Sequence, residues 1–156
     1  MTMKKIKTMI LLVMLLLMGV LTSCTLETSD NGDFDGYWHL LSVEDLKNGS
    51  TTDYSQRRVF WGVQAKLIHL TDFDYDVESY YLRFNRADGV LSITEAYIDH
   101  WHQDNGDDGG DIAVSDTAAL SHFMIMRLPE EYKVESLNGS KMILCSDTYR
   151  LKFRKQ

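Results

Sequence analysis

The sequence predicts an all-β domain, an up-and-down antiparallel barrel of about eight strands with at most one short helix. Three observations carry this. Apolar and polar residues alternate in one run after another, the two-residue period of a strand with one buried face. Short turns separate the runs at Asp88-Gly89 and Asn138-Gly139, residue pairs that accept the positive φ of tight hairpins. Helical periodicity is nearly absent: only 116–123 reads as a short helix, on two alanines and a leucine. Closing such a sheet on itself removes its exposed edges. A flattened sandwich is the alternative arrangement.

The first 23 residues read as an address. Lys4, Lys5 and Lys7 form a positive start, and residues 9–21 are apolar apart from Gly19. That run suits the apolar part of an export signal, whereas a spanning helix needs about 20 residues. The segment ends in Leu21-Thr22-Ser23-Cys24, which resembles a bacterial lipobox: an aliphatic residue, two small residues, then cysteine. The resemblance implies cleavage before Cys24 and acylation of its thiol, which fixes the chain to a membrane. Residues 24–35 then read as an acidic tether, with Glu27, Asp30, Asp33 and Asp35 and too little apolar surface to order itself. The domain proper is 36–156.

Within it the strands follow in order. Residues 37–43 are aromatic and aliphatic enough to begin one, and Asn48-Gly49 turns the chain. Along 59–67, Val59, Trp61, Val63, Ala65 and Leu67 share one face, opposite Gln64 and Lys66. Tyr80, Leu82 and Phe84 alternate with Tyr81, Arg83 and Asn85, and 90–98 follows the Asp-Gly turn. Residues 124–128 read as a further strand, and 132–137 and 141–146 flank Asn138-Gly139. The last strand sets Tyr149, Leu151 and Phe153 against Arg150, Lys152 and Arg154.

Composition narrows the function. The 156 residues are 44% hydrophobic and 25% charged, with net charge −7. Loss of the three signal lysines leaves 13 basic and 23 acidic residues, a net charge of −10. A nucleic-acid partner is therefore excluded, because phosphates demand a clustered basic face. Of the two cysteines, Cys24 is assigned to lipid and Cys145 is left in an apolar run, where a buried inert thiol is the expectation. No disulfide is predicted.

Gly36-Tyr37-Trp38 opens the first strand, and a G-x-W there resembles the signature of lipocalins. Trp38-His39-Leu40-Leu41-Ser42, the run 60–67, Tyr81-Leu82-Arg83-Phe84 and the run 150–155 are similar to recurring segments of small bacterial lipocalin-like lipoproteins of unknown function. The resemblance implies an eight-stranded barrel with Trp38 plugging its closed end. It also implies an arginine of the last strand packed across that ring, with Arg150 and Arg154 both open for the role. It carries over no catalytic residue and no cofactor.

The remaining candidates are weak as chemistry. The stretch after His100 holds Asp104, Asp107, Asp108 and Asp111, but Gly106 breaks the spacing of a calcium loop. His100 and His102 lack a third zinc ligand, so no metal is assigned. No nucleophile signature occurs, and the chain is read as a non-enzyme. Trp38, Trp61, Val63, Ala65, Tyr80, Leu82 and Phe84 form the candidate core or pocket. Ala65, small in the middle of its face, predicts free space at the barrel centre.

Two functions follow for a lipid-anchored outer-membrane protein at the periplasmic face or cell surface. One is binding of a small hydrophobic ligand inside the barrel. The other is an interaction scaffold with a filled barrel. Bulky side chains in the interior favour the second; a cavity of about 300 Å³ or more favours the first.

Overall fold

Among the described residues nine strands follow the turn signals closely. They are β1 (Gly36–Asp45), β2 (Thr51–Asp53), β3 (Val59–Gln64), β4 (Leu67–Asp72), β5 (Tyr80–Ala87), β6 (Val90–Ile98), β7 (Glu130–Leu137), β8 (Lys141–Cys145) and β9 (Tyr149–Lys155). This computed structural model describes residues 29–100 and 112–156. The signal segment, Cys24, His102 and the aspartate-rich loop 104–111 lie outside the described residues.

All pairings are antiparallel, and β1 pairs with β9 as well as with β3, which closes an eight-stranded barrel. β2 is the extra strand. It takes the same edge of β1 as β3 does, at Ser42–Glu44, and the 54–58 excursion separates the two. The turns 65–66, 88–89 and 138–140 gather at one end, the base, together with the first described residues and the C-terminal residues. The connections 46–50, 73–79 and 146–148 gather at the other end, the mouth, with 99–100 and 112–129.

The base is built around Trp38. Its ring is fully buried, and its indole N–H donates to Phe34 O at 2.7 Å. Lys155 stands opposite it across the seam, with Nζ 4.7 Å from the ring centroid and donating to Asp33 O at 2.7 Å. The cation expected from the last strand is therefore Lys155, and neither Arg150 nor Arg154. The pleat decides: Leu151 and Phe153 are buried inward, so Arg150 and Arg154, on the alternate positions, face outward. Arg150 instead joins Glu135 and Glu44 on the outer wall at 2.9 and 3.0 Å. Gly36 is required beside this contact. Its φ is +127°, and a Cβ there would sit 3.1 Å from the Lys155 stem.

Four further sequence expectations need correction. Ala65 is exposed, with φ 52°, in the two-residue turn between Gln64 and Leu67. The run 59–67 is thus a hairpin rather than one strand, and Leu67 is 38% exposed. From Ser29 onward the expected tether belongs to the fold. Phe34, in a 3-10 turn Gly32–Phe34, is buried, and the Asn31 side chain donates to Ala65 O and to Asp35. One buried ring and one well-placed amide outweigh the polar composition around them. Residues 124–128 form no strand but continue from a 3-10 segment, Thr117–Phe123, which occupies the expected helix. At 138–140 the turn is set by the Asn138 side chain, whose Oδ1 accepts from the Ser140 and Lys141 amides, and Gly139 is not among the positive-φ glycines.

Trp38→Ala removes a large buried ring and is expected to cost about 3–5 kcal/mol. Lys155→Ala, which removes the cation–π contact and the exposed hydrogen bond to Asp33 O, is expected to cost about 1 kcal/mol. The exposed Lys47→Ala is expected to cost about 0.5 kcal/mol or less. Urea midpoints measure all three; equal shifts would contradict the placement of the core.

Candidate functional site

Three places can carry function: the lumen, the mouth and the outer wall. In the lumen, Val59, Trp61 and Val63 of β3 point inward, as do Tyr80, Leu82 and Phe84 of β5. Six of the seven predicted core or pocket residues are thus buried; Ala65 is outside. Among the described residues they pack against other inward side chains. Trp61 lies 5.2 Å from the Phe153 ring and 5.9 Å, edge on, from Tyr132. Below them Phe34 and Phe84 meet at 5.2 Å. Leu40, Ile68, Leu70, Leu91, Ile93, Met142 and Leu144 complete the filling. One polar atom is left over: Trp61 Nε1 is buried with no hydrogen-bond partner among the described residues.

The mouth is stopped by the strap 112–129. It leaves β6 through backbone bonds from Val114 to Ala96 and from Ile98 to Ile112. The 3-10 segment begins at Asp116, whose carboxylate accepts from the Ala118 amide at 2.9 Å. Leu120, Phe123 and Ile125 then drop into the core, and all three are fully buried. Phe123 meets Tyr80 edge on at 6.1 Å. Polar ties hold the strap down. His122 Nε2 lies 2.8 Å from Asp72 Oδ2, the Tyr132 hydroxyl donates to Met124 O at 2.8 Å, and buried Glu130 accepts from the Met126 and Arg127 amides.

Asp72 is the hub of these ties. Its carboxylate is fully buried and also accepts from Arg57 Nη2 at 2.9 Å. The Arg57 guanidinium is held between the Tyr54 and Tyr75 rings, at 4.5 and 4.7 Å. None of Arg57, Asp72 and His122 was singled out by the sequence, because they come from three separate loops or strand ends and share no local spacing.

The outer wall carries an aromatic row. Tyr37, Gly62, His69, Tyr81 and Tyr97 stand in register across five neighbouring strands. The Tyr37 ring covers Gly62, where a Cβ would approach it to 3.2 Å, and stacks on Phe60 at 4.6 Å. His69 stacks on Tyr81 at 4.5 Å and meets Asp99 Oδ2 at 2.8 Å. Burial, with Asp99 as a lesser cause, raises the Tyr81 hydroxyl above its ordinary value. A shallow groove of about 650 Å³ lies along this row, with Leu67 on its lower edge. A second hollow of about 460 Å³, lined by Thr52, Tyr54, Ser121 and His122, sits at the mouth. Cys145 is half-buried, and burial raises its thiol above the usual value, so it stays protonated and a poor nucleophile at neutral pH.

Asp72→Ala leaves Arg57 and His122 without their shared acceptor and is expected to cost about 3 kcal/mol. His122→Ala is expected to cost about 2 kcal/mol and to raise hydrogen exchange in 117–128 before other segments. Unchanged exchange in the strap of His122→Ala would show that the imidazole does not hold it.

A family model described as a lipocalin-like domain matches residues 18–156. A lipocalin-like protein from Bacteroides uniformis superposes with a TM-score of 0.58 at 19% identity, covering 80% of this chain and 100% of that one. An uncharacterised protein from Bacteroides eggerthii aligns at 21% identity and a TM-score of 0.47, over 78% of this chain and 98% of that one. No curated protein matches the sequence.

Proposed function

Because the chain belongs to the lipocalin-like domain family, we propose that it is a lipid-anchored protein of the bacterial outer membrane whose filled barrel is a rigid scaffold for protein contacts at its mouth. The single observation behind the scaffold is the interior, where Trp61, Tyr132 and Phe153 meet ring to ring and the strap stops the entrance. Support for the anchor comes from the sequence, in the lipobox ending at Cys24. The contact surface is the loop 73–79. Phe73, Tyr75 and Val77 are 55%, 58% and 38% exposed and alternate with Asp74, Asp76 and Glu78. Apolar side chains interleaved with carboxylates suit a partner that offers basic and apolar groups together.

A second reading has one observation of its own. The buried, unpartnered indole N–H of Trp61 is a donor that a ligand carboxylate or carbonyl inside the barrel would satisfy. This is the carrier function, and it requires the strap to open. Titration with fatty acids and similar apolar probes separates the two. The scaffold gives no change in Trp fluorescence and no rise in Tm at saturating probe, whereas a lumen ligand raises Tm with concentration. A rise abolished by Val63→Trp would overturn the scaffold. For the anchor, Cys24→Ala is expected to move the protein from the membrane fraction to the soluble fraction; an unmodified residue 24 in the intact mass of the wild type would contradict it.

A further inference from the structure

We infer that the barrel stands base-down on the membrane, with the β3–β4 turn nearest the lipids and the strapped mouth directed away from them. This rests on the lipid anchor proposed above, and goes beyond it by fixing which surface the bilayer meets.

The first argument is where the ordered chain begins. Ser29, Asp30 and Asn31 are fastened at the base: Ser29 Oγ bonds Asp35, Asp30 pairs with Lys66 at 3.1 Å, and Asn31 Nδ2 bonds Ala65 O. Asn31 O also accepts from Arg86 Nη2 at 2.9 Å. The N-terminus therefore leaves the fold beside the Ala65-Lys66 turn.

Reach then decides between orientations. Five residue steps separate Cys24 from Ser29, and a fully extended chain covers about 17 Å in that distance. β1 is 10 residues long, about 33 Å along the strand, or about 25 Å of height at the usual barrel tilt. With the mouth on the bilayer, Ser29 would stand about 25 Å above it. The chain is too short for that.

Charge agrees with reach. Exposed apolar residues occur at both ends, so either could in principle meet lipid. At the base, Leu67 and Tyr37 are 38% and 37% exposed beside the Lys66–Asp30 pair, apolar and aromatic groups next to a charge-balanced pair that an anionic interface does not repel. At the mouth, Phe73, Tyr75 and Val77 come with Asp74, Asp76 and Glu78, which an anionic surface repels. The base is lipid-facing. The mouth is left free for a partner arriving from the aqueous side.

Two lysines test this with matched chemistry. In a Cys145→Ser background that retains acylated Cys24, a fluorophore is attached at Lys66→Cys or at Lys47→Cys, the latter exposed in the β1–β2 turn at the mouth. Each protein is reconstituted in vesicles of phosphatidylethanolamine and phosphatidylglycerol with spin-labelled headgroups. The expected result is quenching several-fold stronger at position 66 than at 47. Equal quenching, as for a barrel lying on its side, or stronger quenching at 47, as for insertion of the mouth loops, overturns the orientation while leaving the anchor intact. Protein that fails to float with the vesicles refutes the anchor, and the orientation falls with it.

Discussion

The seam between β1 and β9 is the constraint from which the rest of the structure follows. Seven residue pairs join the two strands, and without them the sheet would be an open ribbon with two exposed edges. The same register sets Trp38 opposite Lys155, so that closure and the plug of the base form together. The plug in turn orders what precedes it. Phe34 O must be in place to take the indole N–H, and Asp33 O to take the Lys155 ammonium. A buried donor without its acceptor would cost about 1–3 kcal/mol. One seam thus fixes the barrel, its sealed end and the exit of the N-terminal chain.

Sealing one end leaves the other as the only axial way in, and the strap occupies it. Magnitudes then bear on what the interior does. A ligand acceptor that satisfied Trp61 Nε1 would recover about 1–3 kcal/mol. To reach it, the ligand would have to displace a packed ring such as Phe153 or Tyr132, and losing the contacts of such a ring costs about 3–5 kcal/mol when it is truncated. It would also have to release the His122–Asp72 and Tyr132–Met124 ties. The balance favours a closed, filled barrel, which moves function to the surface. There the acidic mouth and the base are the two surfaces that the proposed partner and the proposed membrane anchor would use.

Much of the fold was legible because strand alternation and Asp-Gly turns are local signals. At 88–89 both residues take positive φ, as the dipeptide implies. Legibility stopped where strand pairing and packing, rather than the local pattern of residues, decide. Ala65 read as a strand residue because its neighbours alternate, but the pairing of Gln64 with Leu67 makes it a turn. Lys155 was hidden behind two arginines that fit the family pattern better, since only the inward pleat of Leu151 and Phe153 selects it. The acidic stretch 29–35 hid its one buried ring, Phe34. The Arg57–Asp72–His122 cluster left no trace in sequence, because its members converge from three places only after the barrel has closed.

The occupancy of the interior is open to direct weighing. Native mass spectrometry of the protein, purified from its native source in mild detergent, reports whatever the barrel carries. A filled scaffold gives one species at the mass of the polypeptide with its covalent modifications, unchanged when the collision energy is raised. A second species heavier by the mass of a small apolar molecule, lost on activation and absent from Val63→Trp, would show that the rings around Trp61 part to admit a ligand and that the barrel is a carrier after all.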